Sequence, residues 1–522
     1  MDARRLLLSV IFLCATVNAG KILFWTPLST KSVKITFTPV LEALAERGHD
    51  VTVAMPFAAP KDAKYNVINS DPDGDFEAEV TKTTKKIITN EDPNMVNAFI
   101  GMVKAAVDSN DRALSHPMMQ GFLKDANTKF DIVIVQPFLA GESGYYLAKK
   151  FNAPFAIYYT GQVNMPFVSS ALGQPFNPSY DTFGMLPFVG EMGFIQRCIN
   201  TFASFMFEHV FRNMFIHSKV NALLDKHFPG EDRPSLLELE RNASAAFSFG
   251  HPLILDGWSP MSPNFVQLGM MNCRPAKPFA QGDKLGEFLD KSKNGVIFIS
   301  FGSAVKGSLM PEENRKLLLK VFGRLSQYDV IWKWETEEME GKPDNVLLSK
   351  WLPQQEILAH PNLKVFITHA GQSSFQETLC HQKPVVAIPI SGDQPNNAAE
   401  VERLGFGINQ PWTSLTEDGL YDALDKVLHD PKYAEAAKRI GSTLNDQLTR
   451  PLDRAIWWIE HIMRHPTMYE GRSPVHKLRW FQYFLLDVLA FYALILFIVY
   501  KFVKFVICKL CCRSGADKTK KD

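Results

Sequence analysis

Short apolar runs alternate with amphipathic helical stretches along most of the chain, and this alternation is typical of a parallel α/β sheet. The run Lys21–Trp25 is followed by a helical pattern that stops at Gly48, and residues 51–55 form the next predicted strand. Residues 131–135 and 154–159 are further predicted strands, separated by a predicted helix. Strands joined by helices in this order predict one doubly wound half.

The same alternation returns in the second half of the chain. Its predicted strands are residues 296–300, 329–334, 365–368 and 385–389, with a predicted helix over residues 311–325. The chain is therefore predicted to form two doubly wound halves. The cleft between two such halves is the usual place for a nucleotide ligand.

Two stretches interrupt the alternation. Residues 272–281 hold two prolines and show no periodicity, so they are predicted to link the two halves. Residues 188–228 are rich in aromatic side chains and carry a helical pattern without a strand signal. They predict a helical insertion that shapes a pocket.

The chain begins with an apolar segment of the secretory type. Arg4 and Arg5 precede an apolar run that ends at Ala15, and Val17 and Ala19 are small residues at the spacing of a signal-peptidase site. About 10 apolar residues cannot cross about 30 Å of hydrocarbon, which disfavours the alternative of an anchoring helix. The pattern predicts a signal peptide over residues 1–19.

A longer apolar segment lies near the other end. Residues 484–500 are 17 residues with a single charge, and aromatic residues stand just before them. A membrane-spanning helix is therefore predicted over residues 481–500, with a buried core helix as the alternative. Seven Lys and Arg against two Asp in residues 501–522 predict a cytosolic tail, hence a lumenal body. Lys518 and Lys520 resemble the KxKxx retrieval signal of endoplasmic-reticulum membrane proteins, which predicts a single-pass type I protein of that membrane.

Composition describes an ordinary folded chain. At roughly 150 residues per domain, 522 residues allow two or three domains. Apolar residues make up 46% and charged residues 21%, which excludes a disordered, collagenous or coiled-coil protein. The net charge of +1 creates no strong positive electrostatic field that would attract a polyanion, so nucleic acid is not an expected partner.

Cysteine usage and glycan acceptors add little that is specific. Cys198, Cys273 and Cys380 are the cysteines of the predicted lumenal body, so at most one internal disulfide can form and its pairing stays open. Asn242, in Asn-Ala-Ser, is the single acceptor candidate for an N-linked glycan. No residue spacing typical of a metal site is present.

The densest chemistry lies in residues 351–394. A predicted strand runs into His369-Ala370-Gly371, and a helix is predicted to open at Ser373 or Ser374. Free N–H groups at such a helix end, at the carboxyl edge of a parallel sheet, are suited to a diphosphate. The spacing from Ser374 to Glu377 also fits a capping box, in which case these residues would only start the helix.

Taken together, this segment resembles the signature of the UDP-dependent glycosyltransferases. The whole chain resembles the membrane-anchored animal UDP-glycosyltransferases and UDP-glucuronosyltransferases. The resemblance implies a GT-B type α/β fold, in which two doubly wound Rossmann-like domains face each other across a cleft, plus a C-terminal transmembrane helix. The implied parts are a signal peptide (1–19), an acceptor-binding domain (20–275), a UDP-sugar-binding domain (285–450), a returning helix with a connector (451–480), a transmembrane helix (481–500) and a cytosolic tail (501–522).

The resemblance also implies the residues of the donor site. They are Gly302 and Ser303 for close backbone approach, Trp351 for stacking on uracil, Gln354 for the base and ribose, His369, Gly371 and Ser374 for the diphosphate, Glu377 for the ribose hydroxyls, and Asp393 and Gln394 for the sugar. Ser373 stands where an Asn is commoner. UDP-sugar is the co-substrate, and no metal or other cofactor is implied.

The acceptor half departs from the family at two coupled positions. The family uses a His in the first loop as general base and an Asp after a later strand to orient it. Here those positions hold Val33, in the loop that follows the first strand, and Gln136. Residues 20–48 contain no His, and His49 lies at the wrong end of the sheet. The catalytic base is therefore not identified.

Two functions compete on this basis. The first is an inverting transfer of glucose or glucuronic acid from a UDP-sugar to a small lipophilic acceptor without the usual pair, with Lys31 or Lys34 as a substitute base if its pKa is lowered. The second is a pseudoenzyme that binds UDP-sugar or a lipophile and modulates related transferases, in homo- or hetero-oligomers. A receptor domain unrelated to nucleotides is disfavoured by the complete donor motif.

Overall fold

The computed structural model describes residues 19–89, 95–161, 165–174, 176–254, 259–302, 307–336, 338–469 and 473–516. The chain up to Glu470 forms one compact unit, and the chain from Gly471 forms a second. The predicted signal peptide falls outside the described residues except for Ala19, and so do Lys518 and Lys520.

The first sheet is parallel throughout and has seven strands in the order β3-β2-β1-β4-β5-β6-β7. Its strands are β1 (Lys21–Trp25), β2 (Asp50–Met55), β3 (Asn66–Asn69), β4 (Ile132–Val135), β5 (Phe155–Tyr159), β6 (Ala243–Ser248) and β7 (Phe265–Gln267). The helices of this half are α1 (Lys31–Glu46), α2 (Asp75–Thr89), α3 (Met95–Ser115), α4 (Pro117–Lys124), α5 (Ser143–Lys150), α6 (Pro166–Leu172), α7 (Phe194–Phe205), α8 (His217–His227) and α9 (Leu236–Glu240), with a π-helix (Met206–Ile216) between α7 and α8.

The second sheet is also parallel and has six strands in the order β10-β9-β8-β11-β12-β13. Its strands are β8 (Val296–Ser300), β9 (Asp329–Lys333), β10 (Val346–Ser349), β11 (Leu363–Thr368), β12 (Val385–Ala387) and β13 (Gly407–Asn409). The helices from this half to the chain end are α10 (Lys284–Lys291), α11 (Glu312–Arg324), α12 (Gln354–Ala359), α13 (Gln372–Cys380), α14 (Gln394–Leu404), α15 (Glu417–His429), α16 (Pro431–Asn445), α17 (Pro451–Arg464), α18 (Trp480–Tyr483) and α19 (Leu486–Ala516). The predicted fold of two doubly wound halves is confirmed.

Strand order reverses once in each sheet. In the first sheet the reversal lies between β1 and β4, and in the second it lies between β8 and β11. Ligands of doubly wound sheets bind beyond the carboxyl ends of the strands at such a reversal. The two reversals therefore predict where an acceptor and a donor would each sit.

Helix α1 corrects the expectation of a loop around Val33. The hydroxyl of Thr30 accepts a hydrogen bond from the Val33 backbone N–H, so the helix begins at Lys31. Phe37, Val40 and other apolar residues of α1 are buried against the sheet, and this packing holds the helix despite an internal proline. Val33 thus lies in the first turn of a helix, where it is partly buried.

Residues 194–227 are helical, as the pattern predicts, and enclose a buried ion cluster. Arg212 of the π-helix pairs with the carboxylates of Glu142, Glu208 and Glu240. Burial raises the pKa of Glu142 to about 7, against the opposing charge of Arg212. The adjoining cavity, lined by Phe138, Phe167 and Phe207 among others, measures about 10 Å³. That volume is too small for a lipophilic acceptor.

A disulfide joins Cys273 to Cys380, so the linker between the halves is fastened to the end of α13. Cys198 is free and exposed. Returning helix α17 packs on the first half, where Ala455 and Ile459 contact the core that α1 also lines.

The second unit contains an apolar helix. Residues Leu486–Lys509 of α19 form a 24-residue stretch long and apolar enough to cross a membrane, with none of it buried in the protein. Leu485 has φ of 54° and separates α18 from α19, so the apolar helix begins at Leu486, whereas the predicted span over residues 481–500 stays a prediction. The helix also continues into the predicted tail, as far as Ala516.

Candidate functional site

The sequence-predicted donor residues gather beyond the carboxyl ends of β8 and β11, where the strand order of the second sheet reverses. Gly302 follows β8 with φ of +74°, and a Cβ there would lie 2.7 Å from the His369 ring. A Cβ on Gly371 would lie 2.5 Å from the same ring. The imidazole is thus enclosed by two stretches of backbone that only glycine allows. Ser303 lies outside the described residues.

His369 is held as a neutral imidazole. Its side chain is buried, and its Nδ1 has no hydrogen-bond partner within the described part of the chain. Burial lowers the pKa of His369 to about 4, and the nearby charge of Lys333 lowers it further. At neutral pH the ring therefore has one N–H to donate to an anionic oxygen.

Helix α13 opens earlier than the sequence indicates. Gly371 is its N-cap and Gln372 its first residue, so the expected start at Ser373 or Ser374 is wrong by one or two residues. Since Gly371 has no side chain to cap the helix, the first N–H groups are left for other acceptors. The Gln372 N–H donates to Asp393 Oδ2 at 3.1 Å. The helix end faces the cleft, as a diphosphate site requires.

Glu377 does not form a capping box. Its carboxylate accepts hydrogen bonds from Gln354 Nε2 at 2.7 Å and Gln355 Nε2 at 3.3 Å, and Gln354 also reaches Ser374 Oγ at 3.2 Å. Burial raises the pKa of Glu377 to about 7. A buried carboxylate held by two amides is poised to accept a pair of hydroxyl donors, since each oxygen retains a free lone pair.

This pKa predicts how uridine affinity depends on pH. Only the ionised carboxylate of Glu377 accepts from both ribose hydroxyls, so a proton must leave when uridine binds below pH 7. Uridine affinity should therefore fall about 10-fold from pH 8 to pH 6 and level off near pH 8. Calorimetry with uridine checks this, because uridine itself does not ionise in that range.

Two variants control the pH experiment. Glu377→Gln should bind uridine weakly and without the pH slope. Glu356→Gln should retain the slope, because Glu356 pairs with Arg274 at 2.6 Å and that hydrogen bond lowers its pKa against burial. A slope that persists in Glu377→Gln would assign the titration to another group.

Trp351 lies in the loop after β10 with 75% of its surface exposed. The Ser349 hydroxyl donates to the Trp351 carbonyl at 2.9 Å and fixes the loop. A large indole face open to solvent, next to the helix that starts at Gln354, is suited to stacking on a planar base.

Asp393 and Gln394 stand at the start of α14. Asp393 Oδ2 accepts from Asn397 Nδ2 at 2.8 Å, and partial enclosure in the cleft raises its pKa. Gln394 Oε1 accepts from the backbone N–H groups of Ile390 and Ser391, at 2.8 and 3.0 Å, so its oxygen holds the loop and its amide nitrogen is the group available to a sugar.

Residues of the first half face this site. Burial raises the pKa of Tyr159, at the end of β5, and the charge of Asp393 in the second half raises it further. The amides of Gln372 and Gln376 donate to the Phe249 carbonyl at 3.3 and 2.8 Å. The donor residues thus line a cleft between the halves.

The acceptor positions lie at the reversal of the first sheet. Gln136 follows β4 directly, and its backbone N–H donates to the Trp25 carbonyl at 3.0 Å, at the end of β1. The Gln136 side chain is buried, and its Oε1 has no partner among the described residues. Val33 lies in the helix that follows β1. Val33 and Gln136, which stand where the family has His and Asp, therefore both lie at the reversal of the first sheet, and we call this region the acceptor corner.

The two lysines considered as substitute bases differ. Lys31 is exposed and pairs with Glu77 at 2.7 Å. Burial and the charge of Lys31 lower the pKa of Lys34, whose Nζ lies 4.9 Å from the ring centre of Phe57. Neither observation identifies a base.

Sequence reasoning missed three neighbours of the site: Tyr159, Lys333 and Gln355. Each reaches the cleft through its position at the end of a strand or the start of a helix. The residue pattern alone offers no motif for Tyr159 or Lys333, whereas Gln355 lies inside the segment 351–394 that carries the donor motif.

Comparison with known proteins agrees with this arrangement. A family model described as UDP-glucoronosyl and UDP-glucosyl transferase matches residues 20–522. UDP-glycosyltransferase UGT5 of Dactylopius coccus is 31% identical over 494 residues, which cover 93% of this chain and 92% of that protein. UDP-glucuronosyltransferase 2B10 of Homo sapiens is 29% identical over 549 residues, which cover 99% of this chain and 98% of that protein.

Solved structures share the fold. CalG4, the calicheamicin glycosyltransferase, superposes with a TM-score of 0.56 at 16% identity, covering 86% of this chain and 100% of that one. A variant of Os79 from O. sativa in complex with UDP gives a TM-score of 0.57 at 15% identity, with coverages of 85% and 100%. These matches confirm the GT-B type architecture of two facing doubly wound domains.

Proposed function

The chain belongs to the UDP-glucuronosyl and UDP-glucosyl transferase family, and from this premise we propose that it transfers glucose or glucuronic acid from a UDP-sugar to a small lipophilic acceptor. The reaction inverts the anomeric carbon and proceeds without the family's His and Asp pair. The single observation that carries the proposal is the enclosure of the neutral imidazole of His369 between Gly302 and Gly371 at the sheet reversal, where its Nδ1 has no partner among the described residues.

Each part of a UDP-sugar has a matching group in the cleft. The open face of Trp351 suits uracil, the buried carboxylate of Glu377 suits the ribose hydroxyls, and His369 with the start of α13 suits the diphosphate. Asp393 and the amide of Gln394 then remain for the sugar hydroxyls.

Catalysis in this arrangement rests on positioning and on the leaving group. General-base assistance typically contributes about 10²–10⁴-fold, so its loss slows the reaction and leaves the contribution of proximity intact. The acceptor loses its proton to water, and acceptors with acidic hydroxyls are favoured.

A second function, a pseudoenzyme that binds UDP-sugar or a lipophile, is favoured by the acceptor corner at Val33 and Gln136. The Gln136 amide there, whose Oε1 has no partner within the described ranges of the chain, supplies no base. UDP binding without turnover on any acceptor would select this second function, alone or within an oligomer with related transferases.

Calorimetry with UDP tests the donor site shared by both functions. The unmodified protein should bind UDP, and Trp351→Ala should weaken binding by about 10-fold, because a base stacked on an aromatic ring loses about 1–3 kcal/mol when the ring is removed. Trp457→Ala is the matched control, since Trp457 is 51% exposed and lies on α17. A protein that shows no UDP affinity would refute the transfer function and would leave only a pseudoenzyme that binds a lipophile.

The proposed location is the endoplasmic-reticulum membrane, with the body in the lumen and the tail in the cytosol. The apolar stretch Leu486–Lys509 supports a single span. The disulfide between Cys273 and Cys380 supports an oxidising compartment, and Asn242 is exposed and so accessible to a glycan.

Changing Lys518 and Lys520 to Ser should move the protein from a reticular distribution toward the cell surface, because the retrieval lysines are lost. Microscopy of tagged protein, with the tag in the lumenal body, measures the shift. Lys521→Ser keeps both retrieval positions and should stay reticular. An unchanged distribution in the double variant would argue against retrieval by this tail.

A further inference from the structure

Lys333 occupies a position in the donor cleft to which the family motif assigns no role. It is the last residue of β9, and Trp332 before it pairs with Ile299 of β8. Ile299 pairs on its other side with Ile367 of β11. Lys333 and His369 therefore flank the end of the central strand β8 from its two sides.

The lysine is fixed at this place by the backbone of Gly302. Its Nζ donates to the Gly302 carbonyl at 2.5 Å, while the His369 ring lies against the Cα of the same glycine. The peptide at Gly302 thus lies between an ammonium group and a neutral imidazole. Both groups can donate a hydrogen bond to one anion beyond this peptide.

Burial of the Lys333 ammonium group favours an anion as its partner. Burial lowers the pKa of Lys333, the charge of Glu335 partly opposes this, and the charge of Lys31 from the first half adds a smaller lowering. The Glu335 carboxylate is engaged at 3.0 Å by the Gly307 backbone N–H. A partly buried ammonium group whose hydrogen-bond partner is a neutral carbonyl has an unfavourable free energy, which a bound diphosphate would offset.

We propose that Lys333 is a diphosphate-binding residue that contacts UDP on the side opposite His369 and stabilises the charge of UDP as it leaves. This role rests on the proposed function. In the transfer, the bond between the anomeric carbon and the β-phosphate oxygen breaks and its electron pair stays on that oxygen. The acceptor oxygen forms the new bond to the anomeric carbon, and its proton passes to water. UDP gains one negative charge, and the ammonium group of Lys333 stabilises it.

Uridine and UDP together isolate this role, because they differ only in the diphosphate. Lys333→Met should weaken UDP binding about 10- to 100-fold in calorimetry and change uridine binding less than twofold. Lys333→Arg should recover most of the UDP affinity, since it keeps the charge. With UDP-glucose and a phenol as acceptor, Lys333→Met should also lower kcat, because the charge develops mainly in the transition state.

Lys383 provides a matched control. It is another largely buried lysine whose pKa is lowered by burial, to about 8, and its Nζ donates to the carbonyls of His360 and Leu363 at 2.9 and 3.1 Å. It precedes β12 and so lies at the amino edge of the same sheet, opposite the cleft. Lys383→Met should therefore leave the ratio of UDP to uridine affinity unchanged.

Each outcome bears on the role of Lys333. An unchanged UDP affinity in Lys333→Met would overturn it, and so would equal weakening of UDP and uridine, which indicates a structural residue. Recovery of affinity by Lys333→Arg supports it. An unmodified protein that binds neither UDP nor UDP-sugar would instead refute the proposed function itself.

Discussion

The double variant Val33→His with Gln136→Asp should transfer sugar to ordinary alcohols about 10²–10⁴-fold faster than the unmodified protein. The two positions lie at the reversal of the first sheet, one in the first turn of α1 and the other directly after β4. A histidine there gains a carboxylate that fixes its tautomer and stabilises its positive charge. The pair therefore supplies the base that the acceptor corner lacks.

The single variants should each gain little. Val33→His alone places an imidazole at the positive end of α1, which disfavours its protonated form, and nothing orients the ring. Gln136→Asp alone adds a carboxylate without a base to hold. The gain of the double variant should therefore greatly exceed the combined gains of the single variants.

Kinetics of all four proteins on one aliphatic alcohol measure this gain, with the detection limit of the assay as the upper bound on the rate of the unmodified protein. Val33→Leu with Gln136→Asn changes the volume of both side chains without adding a base, so it should show no gain. Melting temperatures within a few degrees of each other exclude a difference in folding. Equal rates for the unmodified and double-variant proteins would show that these are not the catalytic positions.

Removing the imidazole of His369 should reduce kcat by about 10²–10³-fold, the usual effect of losing one donor to a developing oxyanion. The ring is buried, neutral at pH 7 and enclosed by Gly302 and Gly371. A water molecule in the space left by the ring therefore does not replace its hydrogen bond to the diphosphate. The measurement is steady-state transfer from UDP-glucose to a phenol by His369→Ala.

His381 serves as the control for this experiment. It lies at the C-terminal end of α13, and burial lowers its pKa as it does that of His369. His381→Ala should leave kcat within twofold. Equal losses in both variants would indicate a general effect on α13 and would contradict the role of His369.

Much of the fold follows from the sequence because buried parallel strands are short apolar runs. The runs at Lys21–Trp25 and Val296–Ser300 coincide with β1 and β8 to the residue. The start of helix α1 is harder to predict from the sequence, because Thr30, the polar residues after it and Pro39 are typical of a loop. Burial of Phe37 and Val40 in the core stabilises the helix, and that packing is a tertiary effect.

The candidate site also contains residues that the sequence predicts and residues that it does not. His369, Glu377 and Asp393 follow from a local motif, and the structure brings them to one edge of the second sheet. Lys333 and Tyr159 carry no motif, because only strand register and the meeting of the two halves bring them to the cleft. The sequence predicts a later start for α13 because Ser374 and Glu377 have the spacing of a capping box, whereas the Glu377 carboxylate accepts hydrogen bonds from Gln354 and Gln355.

The dependence of transfer rate on acceptor pKa tests the central claim most directly, namely that a working donor site operates without a general base. The unmodified protein is supplied with UDP-glucose or UDP-glucuronic acid and a series of acceptors from acidic phenols to aliphatic alcohols. We expect measurable transfer to phenols of low pKa, a steep fall as the acceptor pKa rises, and no detectable transfer to aliphatic alcohols. Transfer to aliphatic alcohols at the rate of an ordinary transferase would contradict the account.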